Sequence, residues 1–352
     1  MMNSKIFFRA AGYVSLVSIG IAGVSFALAS ILTPVPVEST PVAAYSLPDA
    51  AQVPAYEPGI VFFGDVMLDR NVRTRMSKAH SVEYPFARIK NERALFDPRD
   101  IRVANLEGPV TATYRSPVKS IDFAFDPSVV QMLHDVGITA VSQANNHTLD
   151  QGRGGAKDSR EALERGGIIV FGDELRSDPE SSLAFTTMGT EVVALVGLNI
   201  TNIPLDRADA LKSIESARTK AQKVIVVIHW GDEYKVKPNK TQVELAHWFI
   251  DQGVDAVIGG HPHWMESVEM YKGKFIAYSL GNFIFDQDWS VETKYGLALR
   301  LTDHAVSLHP IHIIASQPVL ITGLERQDRL DRLASVSDPA LSDAIRRGEI
   351  PL

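Results

Sequence analysis

Two histidines one residue apart, His261 and His263, follow an apolar run that closes on Gly259 and Gly260. Small and β-branched residues bounded by turn signals read as a buried strand. Side chains at i and i+2 of an extended segment share a side, so both imidazoles are expected to face one small volume. Pro262 favours this by pushing His261 towards the extended region. Imidazole is the commonest metal ligand, although His-x-His taken alone is more often a pair of loop histidines. Four other apolar runs end in the same manner. Residues 60–63 lead to Asp65, 101–104 to Asn105 and Glu107, 138–141 to Asn145, Asn146 and His147, and 224–228 to His229. In open α/β sheets ligands bind beyond the carboxyl ends of the strands, so five such ends converge on one site. Carboxylate, amide and imidazole donors together suit Mn, Fe or Zn. A pair of such ions bridged by a carboxylate polarises a phosphoryl oxygen and activates water for in-line attack.

The surrounding pattern must hold these ends in place. Helices are expected at 86–95, 126–136 (capped by Asp126 and closed by Gly137), 155–165, 208–221 and 241–252. Residues 183–188 and 191–198 alternate around Gly189 and read as a hairpin. Later segments, at 268–271, 275–279, 297–302 and 306–314, are short strands, and 325–347 is a polar helical tail. Strands and helices alternate first and strands dominate later, which favours a mixed β-sandwich flanked by helices in the α/β class. No internal repeat is present.

The chain has 352 residues and a formal net charge of −7, which argues against a nucleic-acid partner. It contains no cysteine, so disulfides, thiolate ligands and a cysteine nucleophile are excluded. Residues 1–9 carry Lys5 and Arg9 and precede an uncharged apolar stretch, 10–32, long enough to span a membrane. Positive charge before the span places the amino terminus in the cytoplasm and the rest outside. The expectation is a single-pass protein of the cytoplasmic membrane. Ala27-Leu28-Ala29 leaves a cleaved signal, and so a secreted or periplasmic product, open. Residues 33–58 are rich in proline and read as a semi-rigid spacer. The folded domain is expected over 59–320, followed by the tail, 321–352.

The motifs, in order, are Gly64-Asp65-Val66-Met67-Leu68, Ala104-Asn105-Leu106-Glu107-Gly108-Pro109-Val110-Thr111, Asn145-Asn146-His147-Thr148-Leu149-Asp150, His229-Trp230-Gly231-Asp232-Glu233-Tyr234, Gly260-His261-Pro262-His263 and Tyr278-Ser279-Leu280-Gly281-Asn282-Phe283-Ile284-Phe285-Asp286. Over 59–318 they resemble the CapA family of poly-gamma-glutamate capsule synthesis proteins, whose domain is similar to the calcineurin-type metallophosphoesterases. The resemblance implies a four-layer α/β/β/α domain with a dinuclear metal site. It implies Asp65 and His263 as ligands of a first metal, Glu107 as the bridge, and Asn146, His229 and His261 as ligands of a second. His147 then protonates a leaving group, and Asp150 orients it. Asn105, Arg70 and Arg73 are expected to bind substrate, an anionic polymer or a phosphoester. The implied partners are the membrane and the membrane subunits of a capsule synthase. Metallophosphoesterases usually carry Asp-x-His in the first motif. Met67 takes that histidine's place here, and a glutamate stands for the usual bridging aspartate. A non-catalytic polymer-binding subunit and a general periplasmic phosphoesterase remain open alternatives. His80, His134, His247, His304, His309 and His312 lack a strand-end setting and read as structural.

Overall fold

The computed structural model describes residues 56–115, 119–173 and 179–352. The expected span, 10–32, and most of the spacer lie outside the described residues. Among the described residues, no helix is long and apolar enough to cross a membrane.

The chain lays down part of one sheet, builds a second, and returns to the first. Strands β1 (Ile60–Val66), β2 (Ile101–Leu106), β3 (Ala140–Ser142) and β4 (Ile169–Phe171) run parallel in the order given. Strands β5 (Leu183–Met188), β6 (Glu191–Asn199), β7 (Lys223–His229), β8 (Ala256–Gly260), β9 (Val268–Tyr271) and β10 (Lys274–Ala277) form the second sheet, ordered β5-β6-β7-β8-β10-β9. The return adds β11 (Asn282–Ile284), β12 (Tyr295–Leu301), β13 (Ala305–Ile314), β14 (Gln317–Leu320) and β15 (Glu349–Pro351) to the first sheet. Among the described residues eight α-helices accompany them: α1 (Arg70–Lys78), α2 (Arg93–Phe96), α3 (Ser128–Asp135), α4 (Gly152–Arg165), α5 (Arg207–Lys220), α6 (Lys240–Asp251), α7 (Gly323–Val336) and α8 (Ser342–Arg347). The expected mixed α/β arrangement of two sheets with helices is present.

Period-two alternation explains the layering. Along β1, Ile60 and Phe62 join a cluster that includes Val193, Leu195, Ile225 and Ile258 of the second sheet. Their neighbours Val61 and Phe63 instead pack with Val72 of α1 and Val129 and Leu133 of α3. Val224, Val226 and Ile228 of β7 meet Ile214 of α5 and Leu245 and Phe249 of α6. One apolar cluster therefore lies between the sheets and one on each outer face. Each fully buried phenylalanine of these clusters contributes ~1.5–3 kcal/mol.

Some expected elements differ. Residues 86–95 do not form one helix. A 3-10 turn at Tyr84–Phe86 and the single-turn α2 replace it, and Pro98 stops α2 at Phe96. Residues 70–78, whose basic character hid their periodicity, form α1, capped by Asp69 and anchored by buried Val72 and Met76. The helical tail is broken by Pro339, and its last residues pair with β13.

Two glycines allow the strands under the site to approach. A Cβ on Gly64 would lie 2.0 Å from the Gly281 carbonyl oxygen, and one on Gly259 would lie 1.9 Å from that of Tyr278. Gly64→Ala must push β1 away from Gly281 and drag Asp65 with it. We expect a loss of about 3 kcal/mol in chemical denaturation, whereas a site with slack there would lose less than half of that.

Candidate metal centre

Parallel strands bring their carboxyl ends to one side, and the site stands there. Asp65 lies on β1, Glu107 one residue past β2, Asn145 to His147 after β3, His229 at the end of β7, and His261 and His263 just past β8. All except Asn146 are buried.

Asp65, Glu107 and His263 each offer a ligand atom, and these atoms lie within 4.8 Å of one another. His263 Nδ1 is 3.5 Å from Asp65 Oδ2, and its Nε2 is 4.0 Å from Glu107 Oε1. Asp65 is well supplied. Its Oδ1 accepts from Asn105 Nδ2 at 2.8 Å, and its Oδ2 accepts from the His261 backbone N–H at 3.2 Å. Glu107 is the opposite case, because neither side-chain oxygen has a hydrogen-bond partner among the described residues. A fully buried carboxylate left this way is disfavoured by several kcal/mol as an anion. Its geometry fits a group that the cation of a metal would satisfy.

The charges follow the same division. Burial pushes the Glu107 carboxyl well above the usual range, and repulsion from Asp65 adds to it. Burial opposes ionisation of Asp65 too, but His263, His229 and Asn105 outweigh it and hold its carboxyl at about 2. His263 is pushed up to about 9, since the charges of Glu107 and Asp65 exceed its own burial penalty.

Beside this trio lies a neutral one. His229 Nε2 is 2.9 Å from Asn146 Oδ1 and 3.2 Å from His261 Nδ1. Burial, with repulsion from its neighbour, holds His229 well below the ordinary imidazole range. Burial, with repulsion from His263, lowers His261 to about 4. Their nitrogens thus carry free lone pairs at neutral pH, the form a metal requires. Asn105 joins the two groups, since Nδ2 bonds Asp65 and lies 3.3 Å from His229 Nδ1 while Oδ1 accepts from Asn145.

His147 closes one edge. Its Nδ1 is 2.6 Å from Asp150 Oδ2 and its ring stacks on Phe123 at 4.2 Å, while Nε2 lies 3.8 Å from Glu107 Oε1. Asp150 also accepts from the Phe123 N–H at 2.6 Å and faces Lys119 Nζ at 2.5 Å. The acid is thereby fixed, and it fixes the imidazole with Nε2 towards the centre. Burial lowers His147 despite Asp150.

The His-x-His geometry differs from the strand that its spacing predicts. The sheet ends at Gly260, and His261 and His263 adopt φ of +97° and +58°. Their rings share the site because the loop curls, with the His261 N–H turned onto Asp65, and not because a strand alternates. Non-glycine residues in this region are uncommon and cluster at functional sites.

The expected substrate residues divide. Arg70 reaches the mouth, paired with Asp286 and 5.3 and 5.6 Å from the rings of Phe123 and Phe285. Arg73 is instead drawn to the Ala124 carbonyl and Asp69. Asn105 has its amide engaged inside, as a link between ligands. Met67 is fully buried in the core, and its sulfur accepts the Asp69 N–H. Two positioning residues carried no distinct signal. Asn145 Nδ2 bonds Asn105 Oδ1 and the Leu106 carbonyl while its Oδ1 accepts the His147 N–H. Asn282 Oδ1 holds His263 Nδ1 at 2.9 Å. In the sequence Asn145 stands at the end of the third apolar run, and Asn282 lies within the 278–286 motif.

A family model described as bacterial capsule synthesis protein PGA_cap matches residues 59–287. The chain belongs to this family. The PGA biosynthesis protein CapA of Bacillus subtilis (strain 168) is 30% identical over 245 residues, 65% of this chain and 63% of its own length. The capsule biosynthesis protein CapA of Bacillus anthracis is 27% identical over 294 residues, 76% of this chain and 71% of its own. The chain thus spans about two thirds of the length of these curated relatives. Among solved structures, a hypothetical protein from Thermus thermophilus aligns with TM-score 0.43 and 17% identity, covering 75% of this chain and 97% of that one. A phosphatase from Mycoplasma pneumoniae aligns with TM-score 0.43 and 11% identity, covering 75% and 92%. The motifs of this PGA_cap chain are the segments that build the buried centre.

Proposed function

We propose that this PGA_cap protein acts in the synthesis or export of an anionic, poly-gamma-glutamate-like capsule polymer, through a dinuclear metal hydrolase site in a metallophosphoesterase-like domain. The observation that carries the reading is Glu107, buried with two unpartnered oxygens between Asp65 and His263. Asp65, Glu107 and His263 would hold one divalent ion of Mn, Fe or Zn, and Asn146, His229 and His261 a second, with Glu107 between them. Bound there, the ions supply Lewis acidity and lower the pKa of water.

The protein's own groups do the rest. His147 Nε2 faces the centre and, when the ring is doubly protonated, can pass its Nε2 proton to a departing oxygen while Asp150 keeps Nδ1 protonated. Phe123 and Phe285 wall the two histidine rings against water. Arg70 at the mouth, although shared with Asp286, can draw an anionic group inwards. The substrate is the polymer or a phosphoester of its assembly, met alongside membrane subunits of a capsule synthase.

The relatives' printed roles in capsule and PGA biosynthesis support the polymer. In cells lacking their own copy, wild type should restore polymer formation, and His229→Ala, which removes a ligand of the second ion, should not. Equal restoration would leave a scaffold that binds polymer without using this site. From Lys5, Arg9 and the uncharged apolar stretch at 10–32 we infer that the domain lies outside the cytoplasmic membrane, tethered by residues 10–32 and spaced by 33–58. Alkaline phosphatase fused after Pro58 should be active, and a silent fusion there would place the domain in the cytoplasm.

A further inference from the structure

Tyr234 stands over the loop that carries His261 and His263. Its backbone N–H donates to the Pro262 carbonyl at 2.9 Å, and its ring lies 6.0 Å from that of His263, inclined by 28°. Trp289 packs edge-on against it at 4.8 Å. To take this place Tyr234 adopts φ of +62°. A bulky side chain is rare in the left-handed region, and such strained residues cluster at functional sites.

The far end of the side chain is held as well. The hydroxyl oxygen accepts from Gln287 Nε2 at 3.3 Å, Gln287 Oε1 accepts from Asn282 Nδ2 at 3.1 Å, and Asn282 Oδ1 lies 2.9 Å from His263 Nδ1. Thr293 Oγ1 donates to the Gln287 carbonyl at 2.6 Å and steadies that segment. The phenol is thus registered against His263 through both its ring and its oxygen. Asp286, the residue before Gln287, holds Arg70, so one short segment sets the guanidinium and the phenol at the same mouth. The charges of Glu107 and Arg70 both reach the hydroxyl, and the exposed Glu233 carboxylate accepts from it. Burial, with the charge of Glu233, pushes the phenol up to about 12, so it keeps its proton throughout the neutral range.

We propose that Tyr234 is a catalytic residue, whose hydroxyl donates to the oxygen that gains negative charge on the substrate's reacting phosphoryl or carbonyl group. The assignment rests on the metal-centre reading above. Gln287 occupies one lone pair of the phenol oxygen and leaves its proton free to point away from the 282–287 segment. An entering anion repels Glu233 and replaces it as the acceptor, at small cost because Glu233 is exposed. A donor already fixed in place needs no reorganisation when charge develops, which is how such groups lower a barrier. The phenol keeps its proton in this role, and the leaving group draws on His147 instead.

Tyr234→Phe removes one oxygen and leaves the ring on His263. In the full-length protein loaded with Mn, Fe or Zn, this variant should keep its metal content and its urea midpoint. Turnover of an alkyl phosphoester should fall about 10–100-fold with KM little changed, the range for one lost donor to a charged oxygen. A nitrophenyl ester should lose as much, because the donor serves an oxygen that does not depart. Orthovanadate, which copies the five-coordinate transition state, should bind about 10–100-fold more weakly by calorimetry, and inorganic phosphate only severalfold. Wild-type vanadate affinity in Tyr234→Phe, or a loss that merely follows a loss of metal, overturns the assignment. So does a loaded wild type that binds neither anion, and that result leaves the metal centre standing. A wild type that holds no metal ends both readings.

Discussion

His147→Ala should retain metal and fold yet lose about 10²–10⁴ in turnover on an alkyl phosphoester, the range for a positioned proton donor. The same variant should lose far less on a nitrophenyl ester, because nitrophenolate departs without needing a proton. This contrast separates proton donation from packing. His147 is stacked on Phe123 and tied to Asp150, so alanine leaves a hole as well as removing an acid. A hole disturbs both substrates alike, whereas a missing proton donor penalises only the poor leaving group. Equal losses on the two esters would assign His147 to architecture.

Glu107→Gln should move function and stability in opposite directions. Changes to groups that merely orient ligands lower metal affinity 10–100-fold, so replacing the bridging ligand should lower it by about 100-fold or more. Treated with chelator, however, the variant should be the more stable protein. In the wild type the Glu107 carboxyl is raised by burial and by Asp65. A folded-state pKa above the unfolded one means that the carboxyl's contribution is present below the unfolded value. It is lost as pH rises through the folded value. His263, pushed up to about 9, also gives up the positive charge that supports Glu107 over that range. The advantage of Glu107→Gln should therefore grow from pH 6.5 to pH 9, reaching ~1–3 kcal/mol in urea denaturation. A variant less stable than wild type throughout would mean that the glutamate finds partners in solution without metal.

Much of this site was legible because parallel strands impose a simple geometry. Apolar runs ending on Asp65, Glu107, His147, His229 and His261 had to deliver those residues to one edge, and they do. Loop conformation was less legible. Pro262 favours an extended His261, yet the hydrogen bond from its backbone to Asp65 holds φ at +97°, a tertiary demand that local preference cannot reveal. Residues acting through others were hidden for a related reason. Asn145 and Asn282 look like turn residues, and only the packing of β11 against β1 shows that Asn282 steadies His263. Helix α1 was obscured because its buried face needs only Val72 and Met76, and polar and basic residues fill the rest.

The direct test of the account is the metal content of the full-length protein and of Glu107→Gln combined with His263→Ala. The wild type, loaded with Mn, Fe or Zn and freed of excess, should retain between one and two ions per chain by elemental analysis. The double variant, with an unchanged circular dichroism spectrum, should retain fewer. Folded wild type that keeps none of the three metals, or a double variant that keeps as many ions as wild type, would contradict the account.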